Sequence, residues 1–147
     1  MTTHYLGIDY GTKRVGLAYC TNTEGFVFGL PTFNRPKSVK GEDDWEPIFQ
    51  HLDALWDEKN SFHTVVLGLP KNMDGSEGFM AEEIREFGDA VAESYSVKVV
   101  YLDERLSSKL SERELIVLGM KPSRNKGLVD EASAKRILED YLRSLTV

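Results

Sequence analysis

The fold is decided by residues 6–18, which read LGIDYGTKRVGLA. Two apolar runs flank a turn that carries glycine, and this pattern is typical of a β-hairpin. Asp9 ends the first run, where a carboxylate costs folding free energy unless solvent, a metal ion or a positive side chain meets it. We therefore expect Asp9 to bind a ligand, with an ordinary turn role beside Gly11 as the alternative.

The patterns that follow this hairpin predict a mixed α/β architecture. A third strand is rich in β-branched and aromatic residues, and segments with helical spacing then alternate with short apolar runs. The predicted strands are residues 5–9, 15–19, 26–33, 63–67 and 97–102, and the predicted helices are residues 43–58, 78–95, 107–118 and a last one that begins near Asp130. Short turns make the first three strands antiparallel, while helical crossovers make the last two parallel. We expect an α/β sandwich on one five-stranded mixed sheet, in a single domain that spans residues 1–147.

Composition is that of an ordinary globular protein. A chain of 147 residues suits one domain, and 41% hydrophobic with 29% charged residues is usual for such a domain. Cys20 is the single cysteine, which excludes an internal disulfide and a thiol zinc site. No apolar run is long enough to span a membrane, and residues 1–4 lack the basic and apolar segments of a signal peptide. We expect a cytoplasmic protein that does not enter a membrane.

The net charge of −6 is unevenly distributed along the chain. Residues 1–40 carry five Lys and Arg against two Asp and Glu, and residues 121–147 carry six against four. Residues 41–120 carry seven against eighteen, so the middle of the chain is acidic and both ends are basic. A phosphate-rich partner would therefore bind where the two ends converge.

Three acidic residues fall at the ends of predicted elements. Asp9 ends the first strand, Glu104 follows the fifth, and Asp130 begins the final helix. If the first strand is central, these positions lie at one edge of the sheet, where ligands favour binding. Carboxylates brought together repel one another unless cations neutralise them, and oxygen ligands alone suit Mg²⁺ or Mn²⁺. Taken singly, each has a structural alternative: a turn at Asp9, a helix N-cap at Asp130 and a surface ion pair within residues 103–105.

Four blocks of sequence resemble the YqgF/RuvX family. They are residues 7–16 (GIDYGTKRVG), 67–75 (LGLPKNMDG), 103–108 (DERLSS) and 125–134 (NKGLVDEASA), the last followed by Ile137 and Leu138. The blocks occur in the family's order and span essentially the whole chain. The resemblance implies an RNase H-like fold, with α/β/α layers around the five-stranded sheet, similar to that of Holliday-junction resolvases.

The resemblance also implies an activity and its site residues. It points to a nuclease that matures the 5′ end of precursor 16S ribosomal RNA, with the ribosome as a further partner. The family's acidic triad falls on Asp9, Glu104 and Asp130, which would hold Mg²⁺ or Mn²⁺. Because neighbouring residues of a strand face opposite ways, the choice of Glu104 over Asp103 rests partly on the resemblance.

Basic residues near the triad are candidates for holding backbone phosphates, which positions a strand without reading its sequence. They are Lys13, Arg14, Arg105, Arg124 and Lys126. In the loop before Asp130 only Arg124 and Lys126 are basic, whereas some relatives are more basic there. Tight binding of nucleic acid is therefore less strongly indicated.

Three other functions fit parts of the pattern. A resolvase acting on branched DNA would use the same chemistry, but it needs two active sites and hence a symmetric dimer, whereas an RNA nuclease can be a monomer. Residues 9–12 also resemble the phosphate loop of actin-like and sugar-kinase ATPases. Those enzymes enclose ATP between two domains, and this chain has the length of one, so we expect no ATP binding. The third alternative is a non-catalytic nucleic-acid-binding module, which the three intact carboxylates argue against.

Overall fold

Five strands and three helices make up the part of the chain that the structure describes. The computed structural model describes residues 3–21, 26–36, 45–58, 62–104 and 126–145, and for residues 126–129 the backbone alone. The strands are β1 (His4–Tyr10), β2 (Arg14–Thr21), β3 (Phe28–Asn34), β4 (Thr64–Leu69) and β5 (Lys98–Asp103). The helices are α1 (Glu46–Glu58), α2 (Phe79–Tyr95) and α3 (Lys126–Ser144).

The first strand lies at the centre of one mixed sheet with the order β3-β2-β1-β4-β5. β2 pairs antiparallel with both β1 and β3, whereas β4 runs parallel to β1 and β5 runs parallel to β4. Tyr10 lies opposite Val15, which closes the hairpin around residues 11–14. The predicted sheet, with three antiparallel strands followed by two parallel ones, is confirmed. This topology places the carboxyl ends of β1, β4 and β5 at one edge.

Alternation along β1 separates two apolar cores on opposite faces of the sheet. Leu6 and Ile8 belong to the larger core, which α1 and α2 cover and in which Phe87 is fully buried against Tyr10. Tyr5 belongs to the other core, which α3 covers with Ala134, Ile137, Leu138 and Leu142. Helices therefore lie on both faces, in the α/β/α arrangement that the resemblance implies.

The helices on the larger core each bury one apolar stripe. The buried residues recur at helical spacing: Ile48, Leu52, Leu55 and Trp56 on α1, and Ala81, Ile84, Phe87, Gly88 and Val91 on α2. The Trp56 and Tyr95 rings stack with their centroids 3.8 Å apart, which joins the two helices. Among the helices of the described residues, none has both the length and the apolar character needed to cross a membrane.

Several element boundaries differ from the sequence prediction, and the start of the last helix differs most. α3 begins at Lys126, so Asp130 lies inside the helix and its interpretation as an N-cap is wrong. The first turn contains a glycine and a β-branched residue, which disfavour a helix locally, but packing on the sheet outweighs such weak propensities. β3 begins at Phe28 rather than at Phe26, whose side chain is 83% exposed. The helix predicted at residues 107–118 lies outside the described residues.

Candidate active site

Asp9 lies on the central strand, one residue before β1 ends. Residues at alternate positions of a strand share a face, so Asp9 points to the same side as Tyr5, which is the side covered by α3. Its neighbours Ile8 and Tyr10 are buried in the opposite core, whereas Asp9 is only half-buried. The carboxylate therefore lies at the edge of the sheet, on the α3 side.

Asp130 reaches this edge because β2 carries no side chain at Gly16. Gly16 pairs directly with Asp9 in the β1–β2 ladder. The backbone carbonyl of Asp130 approaches Gly16 so closely that a Cβ at this position would overlap it. α3 thus crosses β2 where only glycine fits, and this contact places Asp130 beside the strand pair that carries Asp9.

Glu104 reaches the same edge from the other side of β1. It directly follows the end of β5, and β4 alone separates β5 from β1. A Cβ at Gly68 would overlap the Glu104 carboxylate and would lie 2.6 Å from Cδ1 of Ile137 on α3. Gly68 in turn follows Leu67, which pairs with Ile8. The Glu104 carboxylate therefore lies on the α3 side of the sheet, close to the end of β1.

The neighbouring acid, Asp103, points the other way. It is in register with Leu69, whose side chain is buried in the core under α1 and α2. Residues in register on adjacent strands share a face, so Asp103 points away from α3. The geometry favours Glu104 over Asp103 as the neighbour of Asp9.

The Asp130 carboxylate forms an ion pair with Arg14. The Arg14 Nε donates a hydrogen bond to Asp130 Oδ2 at 2.6 Å, with the two side chains 29% and 21% exposed. Arg14 begins β2 at the alternate position to Gly16, so both lie on the face that α3 covers. The bond is charge-assisted and ties α3 to the hairpin.

The donor set at this edge fits a hard divalent cation. Asp9, Glu104 and Asp130 offer carboxylate oxygens, which Mg²⁺ and Mn²⁺ prefer. Within the described residues, no three Asp, Glu, His or Cys side chains form a group that could hold a metal ion. The three residues converge on one edge, while the Asp130 carboxylate is paired with Arg14. A shared metal site for the three carboxylates stays a prediction.

The structure describes only some of the other basic residues that are predicted to hold phosphates. Lys13 is exposed in the hairpin turn at the same edge. Lys126 is the first residue of α3, but its side chain lies outside what the structure describes. Arg105 and Arg124 also lie outside the described residues. Their role as phosphate contacts stays a prediction.

A hydrogen-bond network stabilises the hairpin on the face of the sheet opposite to α3. The sequence patterns did not predict this network. Arg35 donates to the Gly11 carbonyl at 3.0 Å and to the Tyr10 hydroxyl at 3.2 Å, and Trp45 Nε1 donates to the same hydroxyl at 2.9 Å. Burial, assisted by a hydrogen bond to Glu83, raises the pKa of Tyr10 to about 12. The hydroxyl therefore stays protonated at neutral pH. These residues share no regular spacing, and only the fold brings them together.

The loop after β4 holds itself in a tight turn. Ser76 donates from its backbone nitrogen and from its hydroxyl to Asp74 Oδ1, at 2.9 and 2.6 Å, while Gly75 adopts a φ of 91°. Asp74 therefore accepts the hydrogen bonds that close this turn. Arg85 on α2 donates to both carboxylate oxygens of Glu77, at 2.7 and 2.8 Å, and this bond lowers the pKa of Glu77. The loop is thereby tied to α2.

Comparison with known proteins places this chain in a family. Residues 3–144 match a family model described as "RuvX: Holliday junction resolvase". A protein of Trichormus variabilis is 37% identical over 137 residues, which cover 93% of this chain and 85% of that protein. A Staphylococcus aureus protein is 36% identical over 141 residues, which cover 95% of both chains. Both relatives carry the description "Putative pre-16S rRNA nuclease".

Solved structures share the fold at low sequence identity. RuvC of Thermus thermophilus, in complex with a Holliday junction substrate, superposes with a TM-score of 0.59 at 15% identity, over 98% of this chain and 96% of that one. The fowlpox virus Holliday junction resolvase gives a TM-score of 0.52 at 14% identity, over 97% and 99% of the two chains. These likenesses show a RuvC-like RNase H fold. The family match over residues 3–144 and the relatives at 36% and 37% identity show that the chain belongs to the RuvX/YqgF family.

Proposed function

We propose that this protein is a metal-dependent nuclease that hydrolyses phosphodiester bonds. One observation carries the proposal: Asp130 approaches Gly16, and the Glu104 carboxylate approaches Gly68, at the end of the sheet where β1 carries Asp9. Carboxylates gathered without histidine or cysteine suit divalent cations, which are the usual catalysts of phosphodiester hydrolysis. The descriptions of the curated relatives point to the same reaction class.

The three carboxylates are the residues that would hold Mg²⁺ or Mn²⁺. When bound, such ions activate a water molecule and stabilise the charge that develops on the leaving oxygen. Asp9 has the central place, because it lies on β1 between Gly16, which admits Asp130, and Gly68, which admits the Glu104 carboxylate. Asp9 would therefore be the central residue of the set that holds the metal.

Basic side chains would position the substrate. Lys13 presents its amine from the exposed hairpin turn, where it can contact a backbone phosphate without reading the base. The remaining candidates lie next to the triad in sequence: Arg14, Arg105, Arg124 and Lys126. Attack of a water molecule on phosphorus, with departure of the 3′ oxygen, leaves a 5′ phosphate and a 3′ hydroxyl.

The substrate that we favour is precursor 16S ribosomal RNA, cut at its 5′ end. Two relatives with that description match this chain over 85% and 95% of their own lengths, so the comparison concerns nearly whole proteins. We infer that residues 1–147 act as one catalytic domain, in the cytoplasm and on ribosome precursors.

A Holliday-junction resolvase is the second candidate, and the description of the matching family model favours it. Resolution of a four-way junction needs two symmetric cuts, and hence two active sites related by a twofold axis. This candidate therefore requires a stable homodimer, whereas RNA processing is compatible with a monomer.

One assay separates these candidates. The full chain is offered RNA that spans the precursor–mature 5′ boundary of 16S rRNA, or a four-way DNA junction, with Mg²⁺, with Mn²⁺ or with chelator. We expect cleavage of the RNA that leaves a 5′ phosphate and that chelator abolishes. Paired cuts in the DNA junction, made by a protein that sediments as a dimer, would favour the resolvase. RNA binding without cleavage, unchanged by chelator, would instead support a non-catalytic nucleic-acid-binding module.

A further inference from the structure

We propose that Arg14 is the counter-ion of Asp130 in the metal-free protein, and that a divalent cation displaces it. This proposal rests on the proposed metal-dependent function, because it describes two states of the same site. In the resting state the guanidinium neutralises the carboxylate. In the loaded state the metal takes that carboxylate and Arg14 is released.

The ion pair connects two elements whose backbones are fixed. Arg14 begins β2 next to the hairpin turn, and the Asp130 backbone is held by its close approach to Gly16. The Nε–Oδ2 distance is 2.6 Å, and both side chains are mostly withdrawn from solvent, at 29% and 21% exposure. Such a pair is screened less than a fully exposed one, so it competes with other cations for the carboxylate.

Metal binding and the ion pair compete for the Asp130 carboxylate. A dication held by Asp130 would lie within a few ångströms of the guanidinium, and like charges at that separation repel strongly. The described side chains form no three-membered acidic group that could hold a metal as they stand. The proposal requires the Asp130 carboxylate to turn from Arg14 towards Asp9.

The exchange gives Arg14 a second task. In the resting state its charge offsets one of the carboxylates and reduces their mutual repulsion. Once released, the guanidinium lies beside the exposed Lys13 at the sheet edge, where it can hold a substrate phosphate in a bidentate manner. Arg14 is thus a positioning residue before loading and a phosphate contact after it.

The test is calorimetric titration of Mn²⁺ into the metal-free full chain. We expect Arg14→Gln to bind Mn²⁺ about threefold or more tightly than the parent, because it removes a competing ion pair of ordinary strength. Arg14→Lys keeps the charge and should bind close to the parent. Arg143→Gln is the matched control: Arg143 pairs with Asp140 at 3.4 Å near the other end of α3, and its loss should leave Mn²⁺ affinity unchanged.

The possible failures are distinct. If Arg14→Gln binds Mn²⁺ as the parent does or more weakly, the competition is refuted while the proposed function stands. If the parent binds no Mn²⁺ at all, the metal-dependent function itself is refuted. If Arg14→Gln fails to fold, the NMR chemical shift of the Arg14 Nε–H in the parent provides the test. We expect this chemical shift to change during Mg²⁺ titration, with the same midpoint as metal binding. An unchanged chemical shift at saturating Mg²⁺ would overturn the proposal.

Discussion

At the residue scale, two glycines near Asp9 leave the space that the other two acidic residues occupy. Gly16 admits the backbone of Asp130 from above β2, and Gly68 admits the carboxylate of Glu104 from β5. The two contacts differ in kind, because one is with rigid helix backbone and the other is with the flexible end of a side chain. Substitution at the two glycines should therefore separate stability from activity.

We predict that Gly16→Ala lowers the free energy of unfolding by about 1–3 kcal/mol, because α3 must move to relieve the overlap. Gly68→Ala should cost less stability but displace the Glu104 carboxylate, and so reduce cleavage. Urea denaturation and RNA cleavage measure the two effects. Gly78→Ala is the control, since a Cβ there meets nothing within 4 Å. Gly78 is the N-cap of α2, where alanine is less favourable than glycine, so this change should cost no more than about 1 kcal/mol. Equal stability of Gly16→Ala and Gly78→Ala would contradict the close contact.

Tyr10 gives the hairpin a dependence on alkaline pH. Its pKa is raised from 10.0 to about 12, so the unfolded chain ionises before the folded one. The stability that Tyr10 contributes is complete below about pH 10 and is lost as the pH rises towards 12. We predict that Tyr10→Phe loses about 1–3 kcal/mol at neutral pH, because the donors Trp45 and Arg35 lose their acceptor. It should also show a shallower loss between pH 10 and 12. An alkaline loss as steep as the parent's would exclude Tyr10 as its source.

At the scale of elements, each face of the sheet has its own task. α1 and α2 bury the larger core, while α3 covers the face on which Asp9 lies and itself carries Asp130. The site is therefore coupled to the packing of α3 and largely independent of the packing of α1.

Two buried leucines test this division. Leu138 on α3 and Leu52 on α1 are both 0% exposed, and truncation of either to alanine should cost about 2–5 kcal/mol. We predict that Leu138→Ala also weakens Mn²⁺ binding at temperatures where both variants remain folded, whereas Leu52→Ala keeps the parent affinity. Circular dichroism and calorimetric titration measure both properties. Equal Mn²⁺ affinities would show that α3 packing does not position Asp130.

At the scale of the whole molecule, the sheet separates charge. The acidic middle of the chain includes α1 and α2, which lie on the face away from Asp9. The elements that build the site are β1, β2 and α3, and they carry five Lys and Arg against five Asp and Glu. A protein with a net charge of −6 can therefore present a face without excess negative charge to a phosphate backbone.

Local patterns were enough to predict the architecture and not enough to predict the site's contacts. Within residues 6–18, two apolar runs around a glycine-containing turn predict a hairpin. The later helical spacings predict the helices that connect parallel strands. Both patterns can be predicted because each depends on residues close together in sequence. The Arg14–Asp130 pair spans 116 positions, and the Tyr10–Arg35–Trp45 network has no period. The first turn of α3 contains Gly127 and Val129, so local propensity does not predict a start at Lys126.

The proposed function requires that Asp9 on β1 helps to hold the divalent cation that promotes hydrolysis of the phosphodiester bond. The decisive measurement is the rate of precursor-RNA cleavage with Mn²⁺ by the parent, Asp9→Asn and Asp57→Asn. Asp57 is exposed on α1, across the sheet from the site, and its variant makes the same change of charge. We predict that Asp9→Asn lowers the rate by about 100-fold or more, since a lost metal ligand costs several kcal/mol, and that Asp57→Asn cleaves as the parent does. Cleavage by Asp9→Asn at the parent rate would contradict the assignment of this site.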